Sequence, residues 1–245
     1  MQVSLFIPCS VDGLLVEIGK DLVKLMADLG FDLHYHGEQT CCGQPAFTAG
    51  FIDEAKKSAK RFIEIFEDDE YIVSLSGSCV NTVKNEYVKA LADEPVWLER
   101  AERLSAKVFE FSQFMVDVAG MENVDAHFVG KVAYHNSCHL LRGLGVKEQP
   151  MKMLNAVKGL ELVALNGAEE CCGFGGQFAL NYPYISEAIV RDKVKNFIAS
   201  EAKILILADP GCLLNINGYL HRHYPDYQAM HLVSFLANHR ERGTN

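Results

Sequence analysis

Several things are scarce in this chain of 245 residues, and each scarcity excludes something. Basic residues are outnumbered, 23 Lys and Arg against 32 Asp and Glu, for a net charge of -9. Nonspecific nucleic-acid binding and attraction to anionic membranes both need an excess of positive charge, so neither is expected. No long apolar run occurs; one of the longest, Ile204-Leu205-Ile206-Leu207-Ala208, is far short of the ~18 residues of a spanning helix. The opening MQVSLFIPCSVDG has no basic segment and too short an apolar stretch for a secretory signal, so a cytoplasmic chain is expected. There is no Gly-Lys-Ser/Thr phosphate loop and no Gly-x-Gly-x-x-Gly directly after a strand, which argues against nucleotide and dinucleotide sites. No flavin motif is evident. Closely spaced Cys-x₂-Cys pairs, usual in structural zinc sites, are also missing.

What is present is a duplicated set of eight cysteines. Cys9, Cys41, Cys42 and Cys79 recur as Cys138, Cys171, Cys172 and Cys212, with offsets of 129, 130, 130 and 133 residues. Four cysteines in one order at nearly one offset mark an internal repeat, too long for a solenoid unit and close to domain size. The surroundings repeat as well: Tyr71 to Cys79 parallels Ile204 to Cys212, and Val108 to Phe114 parallels Met230 to Leu236. We therefore expect two lobes, residues 1–128 and 129–245, related by a pseudo-twofold axis.

Hydrophobic period gives the elements. In the first half it predicts strands at 3–7, 31–35, 71–75 and 108–110, with helices at 12–29, 52–66, 80–87, 98–104 and 111–119. In the second half it predicts strands at 131–135, 161–164, 204–207 and 229–231, with helices at 151–157, 185–200, 213–219 and 232–239. Strands alternating with helices predict an α/β fold with a parallel sheet flanked by helices in each lobe. In each half the first cysteine follows the first strand, the Cys-Cys-Gly follows the second, and the last cysteine follows the third. Ligands gather beyond the carboxyl ends of strands in such sheets, so each quartet should converge at one edge.

Disulfides are disfavoured in a reducing compartment, and a buried cysteine acting as a small hydrophobe does not account for a duplicated set. Four thiolates per lobe suit an iron–sulfur cluster, with zinc as the rival. Gly43 and Gly173 give the backbone the turn that lets both neighbouring thiols face one centre. Gly175 and Gly176 extend this, and N–H groups of that loop can bond to sulfur and tune a potential.

The segments Thr40-Cys41-Cys42-Gly43-Gln44-Pro45-Ala46, Ser76-Gly77-Ser78-Cys79, Ser137-Cys138-His139, Cys171-Cys172-Gly173-Phe174-Gly175-Gly176 and Gly211-Cys212-Leu213-Leu214-Asn215-Ile216 resemble the cysteine-rich CCG domain proteins. These include the CCG-bearing components of heterodisulfide reductase, of glycolate oxidase (its iron–sulfur subunit) and of anaerobic glycerol-3-phosphate dehydrogenase. The closer resemblance is to the lactate utilization protein A family, and it covers nearly the whole chain. The resemblance implies an iron–sulfur electron-transfer subunit of a three-component system oxidising L-lactate to pyruvate, with one or two clusters, [4Fe-4S] in type. It implies partners among the other subunits, including a ferredoxin-like iron–sulfur protein. The broader pattern ends in Cys-x-x-Cys; here Ser76 and Asp209 stand at the first of those positions. This weighs against noncubane clusters and against a thiol–disulfide reductase of the heterodisulfide reductase type. It leaves four thiolates per lobe, with zinc in a structural or assembly subunit as a further alternative. Asp209 can serve as an oxygen ligand, although soft iron–sulfur sites prefer thiolate, and the favoured expectation is that Ser76 and Asp209 cap the helices beyond Cys79 and Cys212.

The second lobe alone carries His135-Asn136-Ser137-Cys138-His139-Leu140-Leu141-Arg142. Its histidines and arginine can move protons, hold a carboxylate substrate or neutralise cluster charge, and can equally be solvated residues at a helix start. His34 and His36 are expected on one face, at the surface or an interface. The acidic run Glu67-Asp68-Asp69-Glu70 reads as a solvated loop. No residue stands out as catalytic.

Overall fold

A computed structural model describes residues 1–241; the last four residues of the expected second lobe, 242–245, lie outside the described residues. The first half contains strands β1 (Gln2–Phe6), β2 (Asp32–His34), β3 (Ile72–Ser74) and β4 (Val108–Glu110). Its helices are α1 (Cys9–Leu14), α2 (Val16–Asp28), α3 (Gln44–Thr48), α4 (Ile52–Phe66), α5 (Gly77–Asn81), α6 (Tyr87–Ala90), α7 (Pro95–Ser105) and α8 (Phe111–Gln113). The second half contains β5 (His127–Tyr134), β6 (Lys158–Val163), β7 (Ile204–Leu207) and β8 (Gln228–His231). It adds α9 (Glu148–Asn155), α10 (Gln177–Asn181), α11 (Pro183–Ala199), α12 (Pro210–His223) and α13 (Leu232–His239). π-helical turns at Thr82–Glu86 and Phe114–Val118 continue α5 and α8, and a third, at His139–Gly143, follows the loop after β5.

Two parallel four-stranded sheets result, with orders β2-β1-β3-β4 and β6-β5-β7-β8. The register repeats along with the order. Ser4 pairs with Ile72 in the first sheet, and Ala133, 129 residues on, pairs with Leu205 in the second. The expected α/β architecture of two related lobes is thus what the chain adopts.

Buried apolar residues drive both layers. In α4 the inward stripe is Ala55, Ala59, Phe62, Ile63 and Phe66; in α11 it is Ser186, Val190, Lys193, Val194 and Phe197. Helical spacing puts each set on one face against its sheet. The lobes do not have separate cores. One apolar cluster runs from Val3, Leu22 and Phe114 through Val132, Leu205 and Phe235, and a smaller one around Phe6, Phe62 and Tyr87 belongs to the first lobe.

Some expected boundaries shift for local reasons. The single helix expected over 12–29 is two, because α1 starts at Cys9, directly after Pro8, and the chain bends at Leu15 (φ -127°) before α2. Strand β6 lies earlier than 161–164, and β5 starts at His127, ahead of 131. The short helices α3 and α10 are additions to the expected set; each spans five residues without a charged side chain, too few for an apolar period to show.

Candidate metal centre

The turns between strands and helices carry the cysteines. Cys9 opens α1 and Cys138 precedes the π-turn at His139, each beyond the end of the first strand of its lobe. Cys41-Cys42 and Cys171-Cys172 sit in the loops after β2 and β6. Cys79 and Cys212 lie in the first turns of α5 and α12. All eight line one cavity of about 240 Å³ between the lobes, together with Ser76, Ser78, His139, Gly175, Gly176 and Asp209. All eight are free thiols. Cys172 Sγ lies 3.0 Å from Cys212 Sγ, and Cys9 Sγ 3.5 Å from Cys41 Sγ.

Left-handed glycines make these loops possible. Gly43 (φ +82°) and Gly173 (φ +86°) follow the cysteine pairs, and a Cβ on Gly173 would stand 2.7 Å from the Ser186 carbonyl oxygen. Gly173 N–H donates to Cys171 Sγ at 3.3 Å. Two side chains hold the pairs from behind. Tyr87 donates its hydroxyl to the Cys42 carbonyl at 2.8 Å, and Asn215 donates to the Cys172 carbonyl at 2.9 Å. Tyr87 is not legible in the sequence, since an isolated tyrosine on a helix carries no ligand signature; Asn215 lies within the quoted segment Gly211 to Ile216, but its bond to the Cys172 carbonyl does not follow from that motif.

Within each quartet the thiols share protons unequally. Hydrogen bonds from the Cys42 and Cys9 thiols hold Cys41 well below the ordinary thiol range. Those from Cys138 and Cys172, with the Gly173 N–H, do the same for Cys171. Cys9, Cys42, Cys138 and Cys172 are pushed up, chiefly because each donates to the neighbouring sulfur and then because burial disfavours a thiolate. A thiolate is the metal-binding form, so Cys41 and Cys171 are the thiols held most readily in that form.

Ser76 and Asp209 are helix caps. Ser76 Oγ accepts from Cys79 N–H at 3.3 Å, and Asp209 Oδ1 accepts from Gly211 N–H at 3.0 Å and Cys212 N–H at 3.4 Å. Asp209 also reaches across the lobes: its Oδ2 accepts from Ser78 N–H at 2.8 Å. A second clasp is His231, fully buried, whose Nε2–H donates to the Leu75 carbonyl at 2.8 Å while Nδ1 accepts from Val233 N–H. Burial lowers its pKa to about 4, so the ring is neutral. No sequence motif marks His231 as a ligand, and its role here is to join the lobes.

The asymmetric group of the second lobe separates in space. His139 lines the cavity, its Nδ1 at 3.8 Å from Cys138 Sγ. Arg142 is exposed and donates to the Glu169 carbonyl at 3.0 Å, away from the cavity lining. His135 is buried behind the cysteines, and burial, then the Lys193 charge, lowers its pKa to about 3. His34 and His36 meet edge to face at 4.4 Å, and His36 Nε2 bonds to Asp69 of the acidic run at 2.8 Å.

The cysteine-rich CCG domain family matches residues 3–84 and 132–217, one copy per lobe. Lactate utilization protein A of Oceanobacillus iheyensis is 42% identical over 243 residues, covering 99% of each chain. The protein of that name from Bacillus velezensis is 45% identical over 236 residues, covering 96% of this chain and 99% of its own. This chain belongs to the lactate utilization protein A family. A structure of a hypothetical protein from Helicobacter pylori shares the fold, with a TM-score of 0.68 over 99% of this chain and 49% of that one, at 7% identity. Among the described residues of this family member, no helix is long and apolar enough to cross a membrane.

Proposed function

We propose that the chain is the iron–sulfur electron-transfer subunit of a multi-component system that oxidises L-lactate to pyruvate. Lactate comes from the names of the relatives. The cofactor reading rests on one observation above all: two quartets of free thiols face a single cavity. Soft thiolate sets of this size suit iron–sulfur centres, and the donor set fits. Cys9, Cys41, Cys42 and Cys79 would hold one [4Fe-4S] cluster, and Cys138, Cys171, Cys172 and Cys212 a second. Such clusters supply one-electron transfer. The chain's own contribution is to fix the thiols on two rigid sheets, to pin the Cys42 and Cys172 carbonyls, and to donate the Gly173 N–H to sulfur. The lobes, 1–128 and 129–245, clasp each other through Asp209 and His231, which keeps the two sites at a fixed separation. One-electron centres suit a relay, so lactate itself would react at a cofactor on a partner subunit, and a ferredoxin-like iron–sulfur partner would carry electrons onward.

Zinc remains a second reading, favoured by the close approach of His135, Cys172 and Cys212, a nitrogen and sulfur set that zinc accepts. Anaerobic purification with iron, sulfide and zinc counted per chain separates the two. About four or eight iron and sulfide per chain, with the reduced sample active in electron paramagnetic resonance, supports the relay. Zinc without sulfide, in a preparation fully competent with its partners, would replace it with the structural reading.

A further inference from the structure

The two lobes present the same thiols but not the same backing. The sheet register makes His135 the counterpart of Phe6: Phe6 pairs with Ser74, and His135 follows Tyr134, whose partner is Ile206. The turn glycines align the long helices. A Cβ on Gly43 would meet Ser58 and Ala55, and one on Gly173 would meet Ile189 and Ser186, so α11 runs 131 residues ahead of α4. That offset makes Lys193 the counterpart of Phe62. In the first lobe Phe6 and Phe62 stack edge to face at 4.8 Å in one apolar cluster with Cys42 and Cys79. In the second, the same two positions hold a buried imidazole and a buried ammonium.

The imidazole is arranged as a ligand. Its Nδ1 lies 3.2 Å from the Ala168 carbonyl, which can only accept, so Nδ1 carries the hydrogen and Nε2 carries the lone pair. Nε2 is buried and has no hydrogen-bond partner. A ring nitrogen of His135 and the sulfurs of Cys172 and Cys212 all lie within 4.8 Å of one another. An imidazole whose far N–H is tied to a backbone carbonyl is the usual arrangement of a metal-binding histidine. Leaving such a lone pair dry and unpartnered is costly unless something completes it. Lys193 Nζ is tied to the Gly167 carbonyl, on the loop that carries Ala168, and so holds that loop in place.

We propose that His135 is a nitrogen ligand of the metal centre in the second lobe, so that this site is mixed nitrogen and sulfur while the first lobe's site is sulfur alone. The proposal rests on the reading that these cysteines bind metal. His135 then takes the place of one of the four thiolates of the second quartet, and replacing thiolate by imidazole removes negative charge from a cluster and raises its reduction potential. The two sites of one chain then differ in potential, with electrons settling in the second lobe.

The test uses the full chain labelled with ¹⁵N-histidine, loaded anaerobically with iron and sulfide, and read by pulsed electron paramagnetic resonance of the reduced state. We expect a histidine nitrogen coupling on one of the clusters. It should persist in His139→Ala, which removes the other histidine at the cavity, and vanish in His135→Phe, which installs the residue of the first lobe. His135→Gln serves where the Phe variant does not fold. A potential titration should show one wave moving downward in the His135 variants. Wild-type protein without histidine coupling, or coupling lost only in His139→Ala, overturns the assignment. A chain that takes up no iron and sulfide overturns the relay instead. In that case cobalt(II) as the sole metal decides the histidine question, by the same coupling and the same variants. Failure to bind cobalt, or binding without that coupling, overturns the ligand assignment.

Discussion

Removing the Asp209 carboxylate should loosen the junction between the lobes by a measurable and divisible amount. Asp209 is 4% exposed and makes two kinds of contact. Its Oδ1 caps α12 through Gly211 and Cys212, and its Oδ2 takes the Ser78 N–H of the other lobe. Loss of an N-cap costs about 1 kcal/mol. Loss of a hydrogen bond to a charged acceptor costs about 1.5–3 kcal/mol, and the Ser78 N–H has no replacement. Asp209→Ala should therefore cost about 3 kcal/mol, a fall in Tm of about 6–12 °C for a chain of this size. Asp209→Asn can keep the cap through its amide oxygen but turns an NH₂ toward Ser78, so it should lose mainly the inter-lobe share. Ser76→Ala, which removes a single cap bond at 3.3 Å, should cost no more than about 1 kcal/mol. The assay is urea unfolding of the reduced, metal-free chain followed by circular dichroism, because bound metal would mask the differences by mass action. An Asp209→Asn variant as stable as wild type would refute the idea that this carboxylate holds the lobes together.

Two further outcomes follow from the same geometry. Glu110, fully buried, caps α8, and burial raises its carboxyl pKa from 4.5 to about 7. The unfolded chain releases this proton first, so stability falls as pH rises from about 4.5 to about 7, by at most about 3 kcal/mol, and the wild type minus Glu110→Gln difference in urea midpoints should show that slope. Gly173→Ala should cost about 2–4 kcal/mol, from left-handed strain plus the clash with the Ser186 carbonyl, whereas Gly30→Ala, at the same φ (+87°) with open space at its Cβ, should cost about 1–2 kcal/mol; equal losses on urea unfolding would contradict the steric account.

Much of this fold is legible in the sequence because duplication amplifies weak signals. A three-residue strand such as Ile72–Ser74 is hard to assign alone, but its counterpart Ile204–Leu207 sits at the matching distance from a matching cysteine. The caps at Ser76 and Asp209 follow from residue type and position before a helix. The inter-lobe half of Asp209 does not, because it depends on how two sheets dock, which no local period encodes. Lys193 shows the same limit. By sequence it is one of several charges on α11, yet it lies on the inward stripe with Val190, Val194 and Phe197. Only the register against Phe62 shows that a core position has become polar. The π-helical turns are also invisible at that level, since hydrophobic spacing does not distinguish them from α-helix over one turn.

Helix α13 has a consequence for the order in which the protein can be made. It lies against α2, whose buried face is Ile18, Leu22, Leu25 and Met26, and Arg240 just beyond α13 bonds to the Asp28 carbonyl. During synthesis the first lobe leaves the ribosome without α13 against α2, and that cover follows only after every strand of the second lobe has been translated. N-terminal-first maturation, usual for multi-lobed chains, therefore leaves apolar surface of α2 exposed until the end of the chain is made. The buried cysteines Cys42 and Cys79 pack in the first lobe's own cluster and do not depend on α13 for their cover.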